Sequence, residues 1–268
     1  MQTAIYLFCL ARAGQLSDLT VTGPNGKSSV FQHDFANVTA VVSEVPLDEF
    51  CGPAAEARLQ DVAWVGARAL FHQQVIESAM QHSPVLPARF GALFSSTDSL
   101  EVLVKRNLHD INAFLDAVTD KDEWAVKVVL SRSELKEILF TEKLAEHSAM
   151  LASLSRGVRY FKERQLLAEV EKEIRSRVKE ITNDAVSRLS DCSADQRRRD
   201  VIFRTDEETD IETVANWAFL VERRKFGGFR DVITAVNAEC RSSGLSLDLA
   251  GPWPPYSFTP TLRTEPEV

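Results

Sequence analysis

The chain has 268 residues, of which 44% are hydrophobic and 26% charged, proportions that let a globular protein bury a core without disulfides or metals. Its net charge of −8 excludes the broad basic face that a phosphate backbone or an anionic lipid surface requires, and the basic runs Arg197-Arg198-Arg199 and Arg223-Arg224-Lys225 lie beside acids, as solvated edges do. Cys9, Cys51, Cys192 and Cys240 are far apart and form no C-x-x-C pair, which excludes a zinc ribbon, a redox motif or a disulfide scaffold and suits reduced thiols in the cytoplasm.

Residues 3–10 are rich in strand formers. No Lys or Arg precedes this apolar run and Arg12 follows it, so a first strand is expected here and not a secretory signal. No run approaches the roughly 18 to 20 apolar residues of a membrane span. Gly23-Pro24-Asn25-Gly26 predicts a turn, followed by strands at about 28–34 and 37–45. A helix is expected over 54–82, with Leu59, Val62, Ala69, Ile76 and Met80 near one face. Ser83-Pro84 ends it. Residues 85–91 then read as an extended segment, and Pro87 restricts that segment to a sheet edge or a strand start. Asp98 with Glu101 suggests a capping box opening a helix that carries Leu100, Val104, Leu108, Ile111, Leu115 and Val118.

Asp120-Lys121-Asp122 marks the expected boundary between an N-terminal α+β domain, 1–120, and a C-terminal domain, 121–268. Trp124, Val126, Val128 and Leu130 alternate as one face of a strand. Ser131-x-x-Glu134 predicts a second capping box and a long helical segment over about 133–189, with a bend or break near Gly157. Leu167, Val170, Ile174, Val178, Ile181 and Ala185 form its stripe, and Glu171–Arg175 and Glu173–Arg177 are spaced as i,i+4 pairs. Strands at 201–205 and 213–221, a helix at about 229–241 and a strand at 245–249 complete the order β-α-β-β-α-β. That is the ferredoxin-like order with an overlong first helix.

Catalytic constellations are absent from the sequence. The five histidines have no H-x-x-x-H spacing, and there is no G-x-S-x-G, no P-loop and no G-x-G-x-x-G. No cofactor or metal is expected. A ferredoxin-like scaffold also serves small-molecule enzymes and RNA-binding modules. The first would need convergent titratable groups, which the sequence does not nominate. The second would need aromatic and basic residues on adjacent strands, where 201–205 offers only Phe203 and Arg204.

Three stretches carry more information: Ser83-Pro84-Val85-Leu86-Pro87-Ala88-Arg89-Phe90-Gly91-Ala92-Leu93-Phe94 with His72 before it, Glu123-Trp124-Ala125-Val126-Lys127-Val128, and Gly251-Pro252-Trp253-Pro254-Pro255-Tyr256-Ser257-Phe258. In this order the chain resembles the gas vesicle protein F/L family, with its LP-x-RFG stretch, EW-x-VK strand and terminal GPWPPYSF. Gly157 with Tyr160-Phe161-Lys162, and Ala218-Phe219-Leu220-Val221, fit as well. The resemblance implies a non-enzymatic accessory or minor structural protein of gas vesicle assembly. Its expected partner is the hydrophobic wall protein, kept from aggregation or helped to nucleate, with other accessory proteins as further partners and neither nucleic acid nor lipid membrane among them. It also implies two α+β domains, the second a modified ferredoxin-like one.

Six residues are partner-binding candidates. Trp253, Tyr256 and Phe258 sit on a stiff proline-rich segment, where they either anchor a partner or, as the reading favoured here, fold back to close the structure. Arg89 either contacts a partner or, the favoured alternative, pairs with a carboxylate such as Glu123. Lys172 and Lys179 lie on the charged face of the long helix, a candidate docking arm. His72 reads as a hydrogen-bonded structural histidine.

Overall fold

The computed structural model describes every residue except 1, 17, 18, 20, 22, 202–209, 242 and 264–268. The chain is α+β and forms two compact units, Met1–Glu123 together with the segment from Pro252, and Trp124–Gly251. It passes from the first unit into the second and later returns, so the second is an insertion in the first.

The first unit is built on a sheet of β1 (Thr3–Arg12), β2 (Val30–Phe35), β3 (Val38–Pro46), β4 (Val85–Pro87) and β5 (Leu93–Phe94). The order is β2-β3-β1-β4, with β5 also pairing β1, and the pairings are antiparallel. Pro87 lies in the edge strand β4, where its missing N–H interrupts no ladder. The 23–26 turn forms as expected, with Asn25 Oδ1 accepting the Lys27 and Ser28 amides at 3.0 and 2.8 Å. β1 is buried from Leu7 to Ala11 without alternation, which requires cover on both faces.

A short helix α1 (Leu47–Phe50) follows β3, and the helix expected over 54–82 is two pieces, α2 (Pro53–Leu59) and α3 (Val62–Met80). Asp61 starts α3 by accepting the amides of Ala63 and Trp64 at 2.9 and 3.3 Å, and a capping acid of this kind reads in sequence as one more helical residue. The expected face is therefore wrong at its start. Val62 is 85% exposed, and α3 buries His72, Val75, Ile76 and Ala79 instead.

α4 (Thr97–Arg106) and α5 (Leu108–Val118) carry the predicted stripe, with Leu100, Val104, Ile111, Leu115 and Val118 buried. Asn107 divides it by bonding back to Leu103 O at 2.8 Å. The capping box is made by Ser96 and Ser99, not by Asp98 and Glu101.

The second unit holds β6 (Lys121–Ser131), whose first three residues belong to the first unit, α6 (Arg132–Glu146), α7 (Ser148–Ser153), α8 (Arg156–Ser190), β7 (Asp195–Arg198), β8 (Ile211–Glu222), α9 (Phe226–Glu239) and β9 (Leu245–Trp253), whose last two residues belong to the first unit. The strand order is β7-β8-β6-β9. Val126, Val128 and Leu130 of β6 pack with Phe219 and Val221 of β8, Val170 and Ile174 of α8, and Phe229 and Ile233 of α9. Asn237 ties α9 to β9 by accepting the Leu247 amide at 2.7 Å and donating to Leu247 O at 3.0 Å.

Three expectations are corrected here. Ser131 gives no side-chain cap; the Ser133 amide at the start of α6 donates instead to Asp210 Oδ2 at 2.7 Å. The break expected near Gly157 falls at Leu154 and Ser155, just ahead of it. Glu171 pairs with Arg132 and Lys136, and Glu173 with Lys143, so these acids reach the neighbouring helix α6 and form none of the expected i,i+4 salt bridges. Leu166, not Leu167, is the fully buried residue at the start of the stripe. Residues 202–205 of the strand expected at 201–205, with Phe203 and Arg204, lie outside the described residues.

Gly244 shows how tightly this unit is joined. Its φ is +61°, and a Cβ there would stand 2.9 Å from Ser131 O and 3.1 Å from Leu135 N, both backbone atoms. The Ser131 amide donates to Gly244 O at 2.8 Å, so neither strand can retreat without losing that bond. Gly244→Ala is expected to cost about 2–4 kcal/mol, from the left-handed conformation and the overpacking together. A denaturant midpoint unchanged from that of the exposed control Ser246→Ala would refute this account.

Candidate protein-binding surfaces

The most perturbed buried titratable groups serve the fold of the first unit. Ala88 O can only accept, so the 3.2 Å contact with His72 Nε2 places the imidazole proton on that nitrogen. Nδ1 then accepts the Tyr6 hydroxyl at 3.0 Å, and the Tyr6 oxygen accepts the Gly91 amide at 3.1 Å. Every polar atom in the chain of bonds is used, as the reading of His72 expects. Burial drives the imidazole down to about 4, partly opposed by the Ala88 bond, and the phenol up to about 12, partly opposed by Gly91. Burial likewise raises the Cys9 thiol, far from a nucleophile's range.

This network shapes the 83–94 motif. Ala88 N donates to Phe8 O at 2.8 Å and Leu7 N to Ala92 O at 2.9 Å, so the chain leaves the sheet after β4 and rejoins it at β5. The excursion between them carries Arg89, Phe90 and Gly91. The β1–β3 register shifts between Leu7 and Cys9, opposite this excursion. Phe90 packs on the core with Tyr6, Phe8 and Phe50, whereas Arg89 is exposed. Arg89 makes no salt bridge among the described residues, and Glu123, the partner considered for it, is engaged elsewhere.

Glu123 is buried, and its two carboxyl oxygens accept the Ser257 amide at 2.9 Å and the Ser257 hydroxyl at 2.7 Å. Next to it, Tyr256 donates to Gln73 Oε1 at 3.1 Å and packs against the core of the first unit. Phe258 is half-buried, and Trp253 is the open aromatic residue of the motif at 38% exposure. Burial raises the Tyr256 phenol above its ordinary value, with the neighbouring Cys9, Tyr6, Glu77 and Glu123 adding to the shift.

Lys172 and Lys179 are exposed on α8. The first buried residue of that helix is Leu166, so its initial ten residues extend roughly 15 Å without entering a core. They are not polar throughout. Val158, Tyr160 and Phe161 are 53%, 56% and 74% exposed. Val158 and Phe161 share a face by their i,i+3 spacing, and the Tyr160 and Phe161 rings touch edge-on at 5.9 Å. Met150 of α7 is also exposed. Arg159–Glu163 at 2.8 Å and the Arg164 guanidinium over the Tyr160 ring at 5.9 Å rim these apolar side chains with charge. Sequence reading noted Tyr160-Phe161 only as part of the resemblance. Its stripe began at residue 167, and the presence of apolar residues upstream of that stripe was the available signal.

Among the described residues, no group of three or more His, Cys, Asp and Glu side chains could hold a metal ion, and no helix is long and apolar enough to cross a membrane.

The family model for gas vesicle synthesis protein GvpL/GvpF matches residues 4–260. Gas vesicle protein L of Streptomyces sp. (strain CB03234) is 24% identical over 223 residues, covering 83% of this chain and 80% of that protein. Gas vesicle protein F of the same organism is 31% identical over 193 residues, covering 70% and 75%. The crystal structure of gas vesicle protein GvpF from Anabaena sp. PCC7120 superposes with a TM-score of 0.71 over 99% of this chain and 100% of that one, at 17% identity. At that identity the likeness is one of fold.

Proposed function

Because the chain belongs to the gas vesicle synthesis protein GvpL/GvpF family, we propose that it assists gas vesicle assembly by holding the hydrophobic wall protein against the apolar tip of α8, with no catalytic step. The observation that carries the binding reading is the exposure of Val158, Tyr160 and Phe161 on a helical arm outside any core. Aromatic side chains held open at the end of a charged helix suit a partner whose own apolar surface must be kept from water. A net charge of −8 keeps such a carrier soluble while it does so.

On this reading the protein works in the cytoplasm at the gas vesicle, with other accessory proteins as further partners. The second unit is a modified ferredoxin-like domain. Its strand order β7-β8-β6-β9 supports that description, and α8 is the helix that the modification lengthens. Lys172 and Lys179 lie farther along the same arm. Trp253 is the terminal-motif residue best placed to join an interface, since Tyr256 and Ser257 are engaged within the first unit.

The test is co-expression with the major wall protein, followed by capture and a solubility measurement. The wild-type chain should retain the wall protein in the soluble fraction. Val158→Ser/Tyr160→Ser/Phe161→Ser should lose at least about tenfold of the captured protein. Its own melting temperature should stay within about 2 °C of wild type, because exposed positions contribute little to folding. Undiminished capture by this variant would remove the tip from the mechanism, and loss on Trp253→Ser instead would move the interface to the terminal motif.

A further inference from the structure

A second feature of the Trp124–Gly251 unit shares only Lys179 with the reading above. Between α8 and the sheet lies an open groove of about 480 Å³. Its apolar lining includes Leu130, Ile174, Val178, Val214 and Trp217. Four cations stand around it, Arg132, Arg175, Lys179 and Arg198, with one acid, Glu212. Glu212 is taken up by Arg132 at 3.0 Å. Arg175, Lys179 and Arg198 form no salt bridge among the described residues. In a chain of net charge −8, the described residues here form a local excess of positive charge over an apolar floor.

The groove also contains an unmet hydrogen-bonding group. Thr182 lines it, and its Oγ1 is buried without a partner, a condition that costs about 1–3 kcal/mol until something supplies one. The apolar floor gives a bare inorganic anion nothing to pack against, and the cations make a purely apolar ligand a poor match. Arg175 and Lys179 are one turn apart on α8, while Arg198 comes from β7, so a ligand reaching all three must carry several negative groups across the groove. The volume admits two or three side chains but not a folded domain.

We propose that this groove docks an acidic–apolar linear segment of a partner protein. Its carboxylates meet Arg175, Lys179 and Arg198, its apolar side chains lie on Val178, Val214 and Trp217, and a polar group of the segment satisfies Thr182. The site is separate from the α8 tip and does not depend on it.

The test uses the full chain and a fluorescein-labelled peptide, Glu-Leu-Glu-Phe-Asp-Leu-Glu, with binding read by anisotropy. Two control peptides carry Gln and Asn for the acids, or Ser for the Leu and Phe residues. Both controls, and the variant Arg175→Gln/Lys179→Gln/Arg198→Gln with the parent peptide, should bind at least about tenfold more weakly. Rising salt should weaken the parent complex. Thr182→Val should weaken it too, while leaving the free chain at least as stable. The tip variant of the preceding section should bind the peptide as wild type does, which separates failure here from failure there. Equal binding of the amide control, full retention by the charge variant, or no binding up to millimolar peptide would overturn the proposal. So would a small aryl anion such as 1-naphthoate occupying the groove with the same arginine dependence while the peptide does not.

Discussion

His72→Ala should destabilise the protein by about 3–5 kcal/mol, since it opens a cavity and strands both the Tyr6 hydroxyl and Ala88 O. For a chain of this size that corresponds to a fall of roughly 6–20 °C in melting temperature. The same residue gives the wild-type chain a pH signature. The folded imidazole titrates near 4, below its ordinary 6.5, so between these values the unfolded chain binds a proton that the folded chain refuses. Stability is therefore full above about pH 6.5 and declines by roughly 3 kcal/mol as pH falls towards 4, where the effect levels off. Carboxylates contribute to any acid transition, so the measurement is the difference between wild type and His72→Gln across that window. A difference that does not change with pH would mean that His72 is solvated and not buried. On the alkaline side Tyr6, raised to about 12, removes stability as pH rises from 10 towards 12, because there the unfolded chain is the first to lose its proton.

The second large effect is expected at Glu123. Glu123→Leu leaves the Ser257 amide and hydroxyl without acceptors and should cost about 3–5 kcal/mol, whereas Ser257→Ala, which removes one bond, should cost about 1.5–3 kcal/mol. The two changes address the same contact, so the double variant should be less damaged than the sum of the singles by at least about 1.5 kcal/mol. Chemical denaturation of the four proteins closes the cycle. Strict additivity would show that Ser257 and Glu123 act independently.

Both predictions rest on residues inside the recognised motifs, and the way sequence exposed them is instructive. Periodicity located elements with continuous apolar faces, such as Leu100 to Val118 and Trp124 to Leu130, because burial imposes its spacing directly. It failed where polar atoms decide. Asp61, Ser96 and Asp210 set helix starts through bonds to backbone amides, and several nearby acids and serines look equally suited to that task. β7 lies ahead of the strand expected at 201–205, because Asp195-Gln196-Arg197-Arg198 is polar and carries no apolar alternation, yet an edge strand needs only backbone pairing to one neighbour, here Asp195 to Arg198 against Leu220 to Trp217. The charged pairs of α8 were assigned within the helix because i,i+4 spacing is visible in sequence and the approach of α6 is not.

The candidate surfaces were legible to different degrees. The terminal motif announced itself, and its Tyr256 and Ser257 proved to be joined to Gln73 and Glu123. The apolar tip of α8 was present in the sequence as Val158 and Tyr160-Phe161, but an apolar pair at helical spacing ordinarily means core, and only exposure distinguishes the two. The cationic groove was invisible. Its members run from Leu130 to Trp217 on five elements, and only the folded unit brings them together.

The insertion of one unit inside the other also fixes an order of events during synthesis. Ser257 follows Glu123 by 134 residues, which at about 5–20 residues per second is a wait of roughly 7 to 27 s on the ribosome. The whole of Trp124–Gly251 has been made before Ser257 exists. The inserted unit can therefore reach its folded state, and present the arm of α8, while the first unit, whose five strands are already made, still lacks the Tyr256 and Ser257 that seal it.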